Sequence, residues 1–174
     1  MYGNLGVSVP DHQLAQIAGT GPSFGFNYER KLGVRFKARA STCFTHFGDV
    51  SYPSSSPTPS TVYKMSTLPV QVGLKFYPFM KNFWAKIFIS GQLGGQFTFY
   101  KSNSYGIQES IYYSSQALDF SYMPSIGLDL NGVCFEYEKQ FVVNPHGNQL
   151  VQRVSYSNFR FSVKIFRKYF DTNK

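Results

Sequence analysis

The sequence predicts an all-β protein, an eight-stranded antiparallel up-and-down transmembrane β-barrel over residues 1–170 with a short C-terminal tail at 171–174. Three observations predict it. The 174 residues are 18% aromatic and only 15% charged, which suits strands and turns better than helices. Segments of period-two alternation recur along the chain, each with one apolar and one strongly polar face. Short and long connections alternate, which gathers the long ones at one end. No run of about 18 apolar residues occurs, so a transmembrane helix is excluded while a barrel is not.

Taken in order, the first strand is expected over 2–9, where YGNLGVSV follows Met1 directly. No charged, apolar and small-residue stretch of a secretory signal precedes it, as expected of a mature form or of a chain that is not exported. PDHQLAQIAGT then makes a long connection in which LAQIA suits a helical turn. The second strand is expected over 21–29, and the short RKL leads to the third over 33–47, where Val34, Phe36, Ala38 and Ala40 alternate with Arg35, Lys37 and Arg39. GDVSYPSSSPTPSTVYK is long. Its Ser/Pro/Thr-rich centre is flanked by matching strands, which favours a surface loop over an interdomain linker.

The fourth strand, over 66–77, sets Val70, Val72, Leu74 and Phe76 against Gln71, Gly73, Lys75 and Tyr77. After the short PFMKN, the fifth over 83–100 sets Ile87, Ile89, Leu93, Phe97 and Phe99 against Lys86, Ser90, Gln92, Gln96 and Thr98. KSNSYGIQESIYYSSQ is long again. The sixth strand, over 118–131, meets the seventh, over 133–143, at the Asn131-Gly132 dipeptide, a strong two-residue hairpin signal. NPHGNQLVQRV precedes the eighth, over 155–170, where Phe159, Phe161, Val163 and Ile165 oppose Asn158, Arg160, Ser162 and Lys164.

Alternation alone also fits a soluble, lipocalin-like barrel that carries a hydrophobic ligand behind an inward apolar face. Two features favour the opposite sense. Aromatics flank the apolar face as an interfacial girdle does: Tyr77, Phe79, Trp84, Phe166 and Tyr169 near the short turns, and Phe97, Phe99, Tyr100, Phe120 and Tyr122 toward the loops. The polar face carries charges of both signs among Gly, Ser and Gln. Its expected charge network comprises Glu29, Arg35, Lys37, Arg39, Lys75, Lys86, Asp119, Asp129, Glu136, Glu138, Arg160 and Lys164, with Glu29 expected to pair with Arg35. Opposite charges facing one another in a narrow lumen should pair, and an eight-stranded lumen is only wide enough for its own side chains.

GPSFGFNYERKLGVRFKARAS, STLPVQVGLKFYPF and the aromatic end FSVKIFRKYF give the chain a layout that resembles the eight-stranded outer-membrane proteins A and X, and in particular the Bacteroidota-type, PorT-like outer-membrane β-barrel group. The resemblance spans essentially the whole chain. It implies a bacterial outer-membrane location, with outer-membrane lipid and lipopolysaccharide as neighbours and envelope-complex proteins as partners. Anchoring, adhesion, defence or accessory roles in secretion or gliding assemblies are implied functions. It also implies a terminal aromatic, Tyr169 or Phe170, for assembly; Arg167, Lys168 and the tail depart from that pattern.

No catalytic, cofactor-binding or metal-ligating motif is found. His12, His46 and His146 fall at the loop rim, with Asp11 and Asp49 beside two of them, so an outer-membrane hydrolase with a rim site is the enzymatic alternative. Their spacing matches no metal-ligand pattern. Cys43 and Cys134 imply no disulfide framework. The net charge of +8 is compatible with an acidic partner. Nucleic acid is not expected, because basic and aromatic residues separate into interior, rim and lipid-facing sets instead of lining one groove.

Overall fold

The computed structural model describes residues 1–11, 14–16, 18–52, 60–79, 84–105, 110–143 and 155–165. Eight strands close into one antiparallel barrel in which each strand pairs with its neighbours in sequence and β1 with β8. They are β1 (Tyr2–Pro10), β2 (Gly21–Lys31), β3 (Phe36–Tyr52), β4 (Ser60–Phe76), β5 (Lys86–Tyr105), β6 (Ser110–Asp129), β7 (Val133–Val143) and β8 (Ser155–Lys164). Closure places Tyr2 opposite Lys164, so both ends of the barrel chain lie at the short-turn rim. A 3-10 turn at Leu14–Gln16 falls within the LAQIA segment.

The tightest turn follows its sequence. Asn131 (φ 55°) and Gly132 (φ 120°) both take positive φ, as an Asn-Gly hairpin turn requires, and Leu130 N–H bonds Val133 O at 2.7 Å. At the RKL turn, the Leu32 and Gly33 N–H groups both reach Phe36 O, at 3.0 and 3.3 Å. This hydrogen bonding moves the start of β3 from the expected residue 33 to Phe36 and leaves Arg35 in the turn.

Strand length departs from expectation at the other end. β5 and β6 run 20 residues each and β3 and β4 run 17, against 9 to 11 for β1, β2, β7 and β8. Much of the two segments expected to be loops, around 48–64 and 101–116, is therefore paired strand. A bilayer span needs only about 9–11 tilted residues per strand, so β3 to β6 are longer than a span requires. At the loop end the apolar/polar contrast that marks a strand in sequence disappears, although the ladder continues. A bulge between Phe47 and Val50 marks the change on β3.

The distribution of side chains is inside out. Leu5, Val7, Phe24, Phe26, Val70, Val72, Leu74, Leu93, Leu118, Phe120, Ile126, Phe159 and Phe161 are all at least 40% exposed, whereas Gln71, Lys75, Gln92, Gln96, Glu138, Asn158 and Arg160 are at most 3% exposed. In water such an exposed apolar surface would be costly, at about 25 cal/mol per Å²; hydrocarbon removes that cost. The interior of the described residues holds five acids (Glu29, Asp119, Asp129, Glu136, Glu138) against four bases (Lys37, Arg39, Lys75, Arg160). Among the described residues, the excess positive charge therefore lies outside the lumen.

Candidate functional site

The lumen is filled in layers. At its centre Arg39 on β3 reaches across to β7, where its guanidinium bonds the Glu136 carboxylate and lies 3.4 Å from Glu138. Arg160 on β8 holds the other side of Glu138, at 2.8 Å from Oε2 and 3.1 Å from Oε1, and Ser125 donates to Glu136 at 2.6 Å. Toward the short turns, Glu29 accepts from Lys37 at 3.1 Å and from Lys75 at 2.9 Å. Asp129 accepts from Tyr77 OH at 2.8 Å and lies 3.6 Å from Lys37. Toward the loops Gln71 donates to Ser121 and Gln140, and Tyr156 OH donates to Gln96 at 3.1 Å and meets Thr67 at 3.1 Å.

Apolar layers close both ends of this column. At the loop end, Leu14 and Ala18 from the first connection pack onto the inward Phe47, Met65, Tyr100, Val142 and Tyr156. At the short-turn end, Tyr77, Phe88 and Cys134 form a floor, and the Lys75 ammonium sits 3.6 Å above the Phe88 ring. That cation–π contact gives the buried lysine a second partner beside Glu29.

Nine of the twelve residues expected in the charge network face the lumen and are shielded there: Glu29, Lys37, Arg39, Lys75, Asp119, Asp129, Glu136, Glu138 and Arg160. Arg35, Lys86 and Lys164 do not join it and are exposed at the short-turn rim. The expected Glu29–Arg35 pair is not formed. Register sets Glu29 opposite Arg39, and the turn carries Arg35 below the strand, so Lys37 and Lys75 take the carboxylate instead.

Of the residues expected in the girdle, Phe79 and Trp84 are exposed near the short turns, and Phe97, Phe120 and Tyr122 are exposed on the outer wall, with Phe99 half-buried beside them. Tyr77 and Tyr100 are corrections, each 6% exposed and turned inward: Tyr77 stays in step with Lys75 and finds a hydrogen-bond acceptor in Asp129, and Tyr100 stays in step with Gln96 and packs in the loop-end cluster with Phe47, Met65 and Tyr156. Phe166 and Tyr169 lie outside the described residues. Sequence reasoning missed the interior aromatics Phe88 and Tyr156 and the Leu14 cap. Phe88 alternates in step with Lys86 and Ser90, which is the signal that would have placed it inside.

The rim residues do not converge. His12 and His146 lie outside the described residues. His46 Nδ1 lies 2.9 Å from Ser66 Oγ on the outer face, while Asp49 pairs with Lys64 at 3.1 Å and Asp11 with Lys139. Among the described residues no carboxylate supports the second nitrogen of His46, and no group of three His, Cys, Asp or Glu is placed to hold a metal. These outward polar groups cap the apolar wall on its loop side.

Cys43 and Cys134 are both buried and free. Both strands start at the short-turn rim. Cys43 is seven residues beyond Phe36 and Cys134 one beyond Val133, which separates them by about 20 Å along the strand direction at 3.3 Å per residue, beyond disulfide reach. Protein prepared without reductant is expected to show no reactive thiol while folded and two in denaturant, by thiol titration; one or none in denaturant would contradict this register.

Neither a protein-family model nor a curated protein matches the chain. Among solved structures, it is similar to Ail, the attachment invasion locus protein of Yersinia pestis, with 14% identity, 93% of each chain covered and a TM-score of 0.52. The same protein in complex with the heparin analogue sucrose octasulfate matches with 12% identity, 93% of this chain and 95% of that chain covered, and a TM-score of 0.54. Neisserial surface protein A matches with 10% identity, 94% of each chain covered and a TM-score of 0.53. With its closed lumen and outward apolar wall, the chain thus has the fold of the eight-stranded outer-membrane barrels.

Proposed function

We propose that this chain is an integral barrel of a bacterial outer membrane, without enzymatic activity, that serves as a structural anchor or accessory subunit of an envelope assembly. The observation that carries the reading is the inversion of polarity: an apolar outer wall around a lumen packed with ion pairs and closed by apolar layers at both ends. A lipocalin-like carrier needs a free apolar interior, and here Leu14 and Ala18 fill the apolar end. A rim hydrolase needs a nucleophile, a supported base and oxyanion donors, and the His46–Ser66 contact supplies only the first two, without the support. The layout that resembles the PorT-like group, and a role in secretion or gliding, belong to this proposal. The complex of the Yersinia pestis neighbour with the heparin analogue sucrose octasulfate supports the anionic saccharides of the outer surface as contacts for the long loops.

The test is extraction, topology and conductance together. The protein should need detergent to stay monodisperse. An epitope tag inserted between residues 52 and 60 should be reached by antibody on intact cells, and one between Asn131 and Gly132 only after the outer membrane is opened. In planar bilayers, purified protein should show no steady conductance. Monodispersity in plain buffer would overturn the membrane reading, a surface-exposed turn tag would reverse the orientation, and porin-like current would defeat the closed lumen.

A further inference from the structure

Among the described residues, three lysines at the short-turn rim continue the inward phase of their strands, and Arg35 lies in the turn beside them. On β2, Lys31 alternates in step with the inward Glu29; on β5, Lys86 with the inward Phe88; on β8, Lys164 with the inward Ser162. Arg35 lies two residues before the inward Lys37, and its carbonyl accepts Tyr77 N–H at 2.9 Å. All four are exposed, and none makes an ion pair among the described residues. In the ladders Tyr2 stands opposite Lys164, Asp129 opposite Lys86, and Lys37 opposite Lys31.

The two acids at this end are already committed, Glu29 to Lys37 and Lys75, and Asp129 to Tyr77 and Lys37. Among the described residues this rim exposes no other acid. Directly opposed like charges are unfavourable, and Lys31 faces Lys37, which in turn faces Lys75; Glu29 relieves the inner pair but leaves Lys31 unneutralised. The mouth is thus a cup with a cationic wall above the buried Tyr77, Phe88 and Cys134, and the apolar Leu32, Val34, Phe79 and Trp84 are exposed near the same turns.

We infer that this cup binds an acidic peptide segment, one carrying several carboxylates interspersed with apolar side chains, presented from the short-turn side of the membrane. Lipid phosphate is the less suited occupant, because the group aimed at it is Arg30, which alternates outward with Tyr28, not the four cup residues. A single small anion is also less suited. The cations are spread over β2, the β2–β3 turn, β5 and β8, and strands lie about 4.8 Å apart, so a small anion meets only part of the wall, whereas a chain of carboxylates spans it. The exposed apolar residues near these turns suit the side chains between those carboxylates.

The assignment of the cup to the periplasmic side rests on the orientation proposed above, but its binding chemistry does not. A fluorescent octapeptide of alternating glutamate and leucine, with a lysine–leucine counterpart, is titrated against the full chain in neutral detergent at low and physiological salt. The acidic peptide should bind saturably, more tightly at low salt, and the basic one should not. The triple variant Lys31→Glu, Lys86→Glu, Lys164→Glu should weaken binding at least ten-fold. Its neutral counterpart, with glutamine at the same positions, should fall between, and Arg30→Glu should bind as the parent does. Each variant is first checked for the heat-dependent electrophoretic mobility of a folded barrel; the exposed positions should leave it unchanged. Equal binding by the parent and the charge-reversed barrel would overturn the proposal, as would displacement of the peptide by millimolar inorganic phosphate or by phosphatidylglycerol nanodiscs. A surface-exposed tag at Asn131–Gly132 with binding intact would instead move the cup to the cell exterior, overturning the orientation but not the recognition.

Discussion

Replacing Arg39 with methionine is expected to destabilise the folded barrel by on the order of 3–5 kcal/mol, the cost of removing one partner from a buried charge group. Arg39 is the only described cation that contacts both Glu136 and Glu138. These two carboxylates lie two residues apart on the same face of β7, and their side chains are at most 1% exposed. Without the guanidinium, Glu136 keeps only the Ser125 hydroxyl, and its repulsion from Glu138 is no longer offset. The midpoint of urea unfolding in detergent or lipid, followed by the electrophoretic mobility difference between folded and unfolded barrel, should fall clearly. Adding Glu136→Gln to Arg39→Met should recover more than half of the loss, because Arg160 still holds Glu138. A single variant as stable as the parent would mean that the column of ion pairs is hydrated enough to contribute little.

Gly73 and Gly91 provide a contrast within one strand pair. A Cβ at Gly73 would lie 2.0 Å from the backbone oxygen of Gly91 and 2.7 Å from the Cα of Gln92, whereas a Cβ at Gly91 meets nothing within 4 Å. The Gln92 side chain also fills this space, its Cγ 2.9 Å from such a Cβ. Gly73→Ala is therefore expected to cost about 3 kcal/mol, the upper end for overpacking, since backbone cannot turn aside as a side chain does. Gly91→Ala, on the lipid-facing side, should change stability by no more than about 0.5 kcal/mol. Measured in the same unfolding assay, similar effects at the two sites would show that β4 and β5 separate easily at this height.

The wall of the barrel was legible in the sequence because each of its features is local. Period-two alternation assigned Val70, Val72 and Leu74 to one face and Gln71 and Lys75 to the other without any knowledge of their neighbours. The Asn131-Gly132 dipeptide fixed one turn through its own backbone preferences. Strand ends were less legible at the loop end of β3 to β6, where the sequence no longer alternates apolar with polar residues although the ladder continues. The Leu14 cap was legible only as a helical turn, since its burial depends on Phe47, Met65 and Tyr156 being brought to the same mouth.

The sequence by itself determined the number of strands, their antiparallel order, and which residues share the polar face, because pleating and turn chemistry act over a few residues. Tertiary structure alone decided who pairs with whom across the lumen. Arg39 meets Glu136 and Glu138 from a strand 97 and 99 residues away, and Glu29 takes Lys37 and Lys75 instead of Arg35. Such contacts depend on the height at which each side chain enters the closed barrel, and that height is set by inter-strand register and closure, which no single strand encodes. The same closure separated the cations of one face into two fates, burying Lys37 and Lys75 beside carboxylates and leaving Lys31, Arg35, Lys86 and Lys164 at the mouth, where the floor ends and water begins.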